Sequence, residues 1–167
     1  MTPTMRYVLK QKLVSLGNNF MIRDGGGRDA FRVNGSLMAL GEKLSFQDPS
    51  GKELARIEQR VVSRSRSYQV RRDGKYLADV KRDDPSFFQH RFRIEVRESA
   101  DLEATADFLD RTYVIKRAGS EIATMSKRWF RPSETYAIEI DDKEPDPILL
   151  LSIAVVIERA CRKLQNR

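Results

Sequence analysis

The chain has 167 residues, of which 40% are hydrophobic and 33% are charged. This composition excludes a disordered chain and indicates one soluble globular domain, 1–167, long enough to bury a core. The formal net charge of +7 favours an anionic partner, such as nucleic acid, lipid head groups or an acidic protein. Because Cys161 is the only cysteine, an intramolecular disulfide is excluded and a reducing, cytoplasmic location is expected.

The first four fifths of the chain predict short β-strands. Alternating apolar and polar residues recur between clusters of Gly, Asp, Pro and Ser, the pattern of strands with one buried face. In the clearest case, 88–96, Phe92 and Ile94 share one face while Arg91 and Arg93 share the other. In chain order, the predicted strands are about 7–13, 19–23, 31–35, 43–47, 53–59, 67–72, 75–82, 88–96, 102–108, 112–116, 121–127 and 135–140.

The last predicted element is a helix over about 147–164, with Asp146 as its N-cap and Pro147 in its first turn. Apolar residues between Ile148 and Ile157 cover every face, which is typical of a helix enclosed by protein or lipid. The charge-free run 147–157 is about 16 Å long, whereas a bilayer core needs about 20 residues. We therefore predict enclosure by the protein and no transmembrane segment.

An internal repeat supplies the enclosure. Residues 51–70 align without a gap on residues 119–138, with Gly51/Gly119 among the identical pairs. The repeat predicts two similar halves, about 5–74 and 75–140, which close into one barrel without exposed strand edges. Since a barrel of about twelve strands is too wide for its own side chains to fill, the helix is expected at its centre. The residues expected to face it are Ala55, Ile57, Ala123 and Met125.

Several stretches resemble the LURP-one-related family: FRVNG at 31–35, DPSGKEL at 48–54, YQV at 68–70, GSEIA at 119–123 and KRWF at 127–130. The likeness covers about 7–164 and implies a twelve-stranded barrel around a hydrophobic helix, as in tubby C-terminal and phospholipid scramblase domains. Tubby relatives bind phosphoinositides and have been connected with transcription, and scramblase relatives are tied to membranes and calcium. This sequence lacks the cysteine cluster and the extra hydrophobic segment of the scramblase pattern, so lipid scrambling is not expected.

Positive charge is concentrated between Arg60 and Arg97, where eleven Lys or Arg residues face five acids. Residues two apart on a strand share a face, so pairs such as Arg91 and Arg93 could hold phosphates through guanidinium contacts. A solvated barrel exterior is the alternative interpretation. Lipid is favoured over nucleic acid by the tubby likeness, and because the aromatic residues that could stack on bases alternate onto the opposite strand face. The predicted anionic-ligand residues are Arg60, Arg64, Arg66, Arg71, Arg72, Lys75, Arg91, Arg93 and Arg97.

No catalytic or metal-binding set can be assembled from the sequence. A single histidine, His90, excludes a multi-histidine metal site, and its apolar strand face predicts a packed core residue. Cys161 is predicted to be an inert core thiol. The four acids of 141–146 (Asp141, Asp142, Glu144 and Asp146) could hold a cation, but a helix N-terminus already accounts for them.

The sequence therefore predicts a non-enzymatic binding or scaffold module that has no cofactor or metal and binds anionic phospholipid head groups through its arginine-rich face. The expected location is cytoplasmic or peripheral at the membrane. The alternatives are a nucleic-acid-associated, transcription-related protein and, more weakly supported, a small-molecule enzyme. Trp129 and Phe130 are either core residues or an exposed pair that seats on a membrane or a partner.

Overall fold

The computed structural model describes residues 3–11, 19–38, 41–62, 65–83, 89–107, 112–127 and 135–165. Within these residues the chain forms twelve β-strands followed by one α-helix. The strands are β1 (Thr4–Gln11), β2 (Phe20–Asp24), β3 (Asp29–Met38), β4 (Gly41–Gln47), β5 (Glu53–Val62), β6 (Ser65–Arg72), β7 (Lys75–Arg82), β8 (Gln89–Val96), β9 (Leu102–Asp107), β10 (Thr112–Arg117), β11 (Ser120–Lys127) and β12 (Thr135–Asp141), and the helix is α1 (Pro147–Gln165).

The strands close into a single antiparallel barrel. Each strand pairs with its neighbours in the chain, and β1 pairs with β12 from Thr4↔Asp141 to Lys10↔Thr135. Closure leaves no strand edge open to another chain. The predicted mainly-β barrel is confirmed, and each predicted strand corresponds to one observed strand.

Helix α1 lies inside the barrel. Every residue from Leu149 to Arg159 is at most 7% exposed, so three successive turns are covered on all faces. The helix packs against β5 and β6. On another side, its residues Leu150 and Ala154 line a cavity of about 10 Å³ together with residues of β10, β11 and β12. Contact with walls on different sides places the helix within the ring of strands, as the all-round apolar sequence predicted.

The inward faces of the strands complete one core around α1. Ala55, Ile57, Ala123 and Met125 are each at most 4% exposed, which confirms that these residues face the helix. The repeated segments correspond to β5–β6 and β11–β12, six strands apart in the ring of twelve. The division of the chain into two related halves stays a prediction.

The identical glycines of the repeat have a conformational reason. Gly51 and Gly119 occupy the turns before β5 and β11, with φ angles of 92° and 81°. A residue with a Cβ rarely adopts this left-handed region, so both turns favour glycine.

Candidate functional site

Strand register brings four cationic side chains together on the outer surface of β5 to β8. Arg60 lies opposite Ser67, Ser67 opposite Lys81, and Lys81 opposite Arg93. Arg91 is two residues from Arg93 and shares its face of β8. Since neighbouring strands are about 4.8 Å apart, the line from Arg60 to Arg93 spans about 14 Å. We refer to Arg60, Lys81, Arg91 and Arg93 as the basic row.

The basic row is accessible to a ligand. Arg60 and Arg91 are exposed, and neither is in an ion pair with another residue that the structure describes. The side chains of Lys81 and Arg93 are 42% and 56% exposed; their carboxylate neighbours are Glu95, 3.2 Å from Lys81 Nζ, and Asp83, 3.9 Å from Arg93 Nη2. Exposed ion pairs of this kind contribute about 0–1 kcal/mol, so a phosphate can replace the carboxylates at low cost.

The other predicted ligand residues do not all join this row. Arg71 donates to Gln69 Oε1 at 2.8 Å and to the Gly74 carbonyl at 3.3 Å, beside the β6–β7 turn. Lys75 begins β7 at the same turn and is exposed. Arg97 directly follows the last residue of β8, at the end of the strand that lies away from Arg91. Arg64 lies outside the described residues, and Arg66 is placed in β6 while its side chain is not described.

Arg72 has a structural partner. Its Nη1 and Nη2 donate to the two carboxylate oxygens of Asp146 at 3.0 and 2.9 Å. Asp146 Oδ1 also accepts the backbone N–H of Leu149 at 3.1 Å, which confirms Asp146 as the helix N-cap. A bidentate pair at a helix start fixes the position of α1 against the β6–β7 hairpin.

The acidic segment before α1 is engaged in similar contacts. Arg117, at the end of β10, donates to both oxygens of Glu144 at 2.7 and 3.0 Å. Asp141 accepts the backbone N–H of Lys143. No group of three His, Cys, Asp or Glu side chains suited to a metal ion occurs in the described part of the chain. Glu144 and Asp146 therefore each have an arginine partner, and Asp141 has a backbone donor.

A buried ion pair near the end of α1 was missed by sequence reasoning. Arg159 donates to both carboxylate oxygens of Glu42, at 3.0 and 2.7 Å, and their side chains are 7% and 1% exposed. Burial alone would lower the pKa of Arg159, but the hydrogen bond and the charge of Glu42 raise it overall. The sequence did contain one indication of this pair, namely an arginine within a helix predicted to be enclosed. A buried charge requires a partner of opposite charge. The partner itself, 117 residues away, had no local signal.

The structure also places His90 and Cys161 inside the barrel. His90 Nδ1 is 2.8 Å from Arg82 Nη2, and since the guanidinium can only donate, Nδ1 accepts. Burial, followed by the charge of Arg82, lowers the pKa of His90 to about 4. Burial, followed by the charge of Glu158, raises the pKa of Cys161 to about 12 although Arg82 opposes this. At neutral pH both groups are therefore uncharged, as expected for core residues.

Comparison with known proteins agrees with this architecture. A sequence model of the family described as LURP-one-related matches residues 5–158. The chain belongs to the LURP-one-related family. Its relatives include YxjI of Bacillus subtilis (strain 168), which is named as uncharacterised. The two sequences are 27% identical over 150 residues, and this alignment covers 90% of each protein. A solved structure from Arabidopsis thaliana is 18% identical, with a TM-score of 0.68 over 94% of this chain and 91% of that protein, which supports the shared fold.

For this LURP-one-related protein, family membership agrees with the barrel fold and does not specify an activity. Within the described residues, no helix is both long enough and apolar enough to cross a membrane. Trp129 and Phe130 lie outside the described residues. The basic row is therefore the feature on which a function can be argued from geometry.

Proposed function

We propose that this protein is a non-enzymatic binding module whose basic row holds the phosphates of anionic phospholipid head groups. The observation that carries the proposal is the strand register, which aligns Arg60, Ser67, Lys81 and Arg93 in one line across β5 to β8, with Arg91 two residues from Arg93. The proposed location is accordingly cytoplasmic and peripheral at the membrane.

The chemistry of the row suits phosphate oxygens. Arginine presents a planar set of donors that can hold two oxygens of one phosphate, whereas lysine provides a compact charge. Ser67 lies between Arg60 and Lys81, where its hydroxyl could donate a further hydrogen bond. In the described interior, His90 is neutral and the pKa of Cys161 is about 12, so neither side chain is charged at neutral pH. Recognition by charge is thus better supported than catalysis.

The expected affinity is modest. A basic side chain near an anionic membrane contributes about 1 kcal/mol, so four cations contribute about 4 kcal/mol, equivalent to roughly millimolar binding. Since such attraction falls off within about 10 Å at moderate salt, binding should weaken as ionic strength rises. The protein would therefore associate reversibly with anionic membranes.

Vesicle co-sedimentation tests the proposal. We expect binding to phosphatidylcholine vesicles that contain phosphatidylserine or a phosphoinositide, and none to phosphatidylcholine alone. The triple variant Arg60→Gln/Arg91→Gln/Arg93→Gln should lose at least about tenfold in affinity, because three cations near the surface are removed. The matched control, Arg28→Gln/Arg32→Gln/Lys116→Gln, removes the same charge from exposed residues outside the row.

Two results would contradict the proposal. Equal binding to neutral and anionic vesicles would show that charge is not the determinant, and equal losses in both triple variants would show that only net charge matters.

Gel shifts with duplex and single-stranded DNA decide the alternative function. A DNA shift together with no vesicle binding would replace the lipid proposal with nucleic-acid association.

A further inference from the structure

Two of the four cations of the basic row are paired with carboxylates of the protein itself. Lys81 Nζ donates to both carboxylate oxygens of Glu95, at 3.3 and 3.2 Å. Arg93 Nη2 lies 3.9 Å from Asp83 Oδ1. The other two cations of the row have no ion pair among the described residues. The row therefore combines two unpaired cations with two that already have an anionic neighbour.

The pairing of β7 with β8 produces both contacts. Lys81 lies opposite Arg93, and Glu95, two residues further along β8, is the diagonal neighbour of Lys81. Asp83 follows β7, and its backbone N–H donates to the Arg91 carbonyl at 2.8 Å. This bond continues the strand pairing by one residue and makes Asp83 the diagonal neighbour of Arg93. Each paired cation of the row thus has its carboxylate on the adjacent strand.

Both pairs are accessible to solvent. The side chains of Lys81 and Glu95 are 42% and 41% exposed, and those of Arg93 and Asp83 are 56% and 50% exposed. Ion pairs at this exposure are weak, because water solvates the separated charges well. The buried Arg159, which is 6% exposed, has no such alternative to its partner. The two pairs of the row can therefore exchange one anion for another.

Two further carboxylates lie beside the row without pairing to it. Glu58 is two residues from Arg60 on the same face of β5, and Glu103 lies opposite Arg93. Among the residues that the structure describes, neither carboxylate forms an ion pair with a cation of the row. These two acids contribute negative charge near the row, whereas Glu95 and Asp83 also occupy its donors.

We propose that Glu95 and Asp83 are internal competitors of the lipid phosphates, so that the row binds a membrane only above a minimum density of anionic head groups. The competition rests on the proposed function, since it presupposes phosphate binding at the row. A phosphate that binds Lys81 or Arg93 displaces a carboxylate, whereas the two unpaired cations accept a phosphate directly. By mass action, sparse anionic lipid engages the unpaired cations alone, and dense anionic lipid engages all four.

Titration of phosphatidylserine into phosphatidylcholine vesicles tests this competition. The variant Glu95→Gln/Asp83→Asn keeps the size of both side chains and removes both competitors. It should bind more tightly than the wild type and reach half-saturation at a lower fraction of phosphatidylserine. The matched control, Glu58→Gln/Glu103→Gln, removes the same charge beside the row without releasing a paired cation. The gain in affinity should be about fivefold larger in the first variant, as expected from two weak pairs.

Melting temperatures of both variants should match the wild type, because exposed substitutions change stability little. Glu95→Gln alone, which removes the closer pair, should show most of the gain. An equal or larger gain in the control, or no gain in either variant, would overturn the competition and leave the proposed function standing. Absence of binding to phosphatidylserine vesicles by the wild type and by Glu95→Gln/Asp83→Asn would instead refute the proposed function, and the competition with it.

Discussion

Arg159 of α1 lies inside the barrel, whereas Arg91 of β8 lies on its outer surface. Arg159 is enclosed and donates to both oxygens of Glu42, whereas Arg91 is exposed and has no ion pair among the described residues. Desolvation makes the first arginine dependent on its partner and leaves the second free to bind an anion from solution. The two residues are of the same type, so the difference lies in burial. A buried arginine stabilises the fold through its partner, and an exposed one can bind a ligand.

The largest effect expected on the interior side comes from a charge at the centre of α1. Val155 is fully buried, so Val155→Asp would place an unpaired carboxylate against the core, at a cost of several kcal/mol that a marginally stable domain cannot absorb. We expect no soluble folded protein. Val114→Asp is the matched control, because Val114 faces outward on β10, and it should fold. Soluble yield and circular dichroism melting measure both. A Val155→Asp protein that melts cooperatively would show that α1 lies outside the barrel.

The second effect compares the two arginines directly. Arg159→Met leaves Glu42 buried without its partner and should lower the free energy of unfolding by about 3–5 kcal/mol. Arg91→Met should change it by no more than about 0.5 kcal/mol, as is usual at exposed positions. Urea unfolding at neutral pH measures the difference. The double variant Glu42→Met/Arg159→Met should recover part of the loss, because neither charge is then unpaired. Equal effects of the two single variants would remove the distinction between inner and outer arginines.

The interior was the more predictable of the two regions. The apolar faces of α1 and the period-two pattern of β8 are local features, and each indicates which side chains are buried without reference to the rest of the chain. Closure was predicted from the internal repeat, and the width of a barrel of about twelve strands then placed α1 at its centre. The resemblance to the LURP-one-related family agreed with both, and the match over residues 5–158 confirmed it.

The outer surface was less predictable because its arrangement depends on register. The sequence has eleven cations between Arg60 and Arg97, but only strand pairing shows that Arg60 aligns with Lys81 and Arg93 while Arg72 binds the N-cap of α1. Lys81 was not among the predicted ligand residues, although its register position is at the middle of the row. Pairs such as Arg72 with Asp146, 74 residues apart, have no signature in a local pattern.

A pH titration sharpens the comparison on a single strand, because His90 faces inward on β8 immediately before the outward Arg91. The pKa of His90 is about 4 in the folded protein against an ordinary value of 6.5, as burial and then Arg82 disfavour the charged ring. Between these values the unfolded chain binds a proton that the folded protein does not. The contribution of His90 to stability is therefore fully present above about pH 6.5 and declines as the pH falls toward 4, with a limiting slope of about 1.4 kcal/mol per pH unit. Urea unfolding of the wild type at pH 7, 6 and 5 should show this decline, and His90→Gln, which does not titrate, should show a shallower one. Identical slopes in the two proteins would mean that His90 is solvated, and that the inner face of β8 is open to water near the start of the strand.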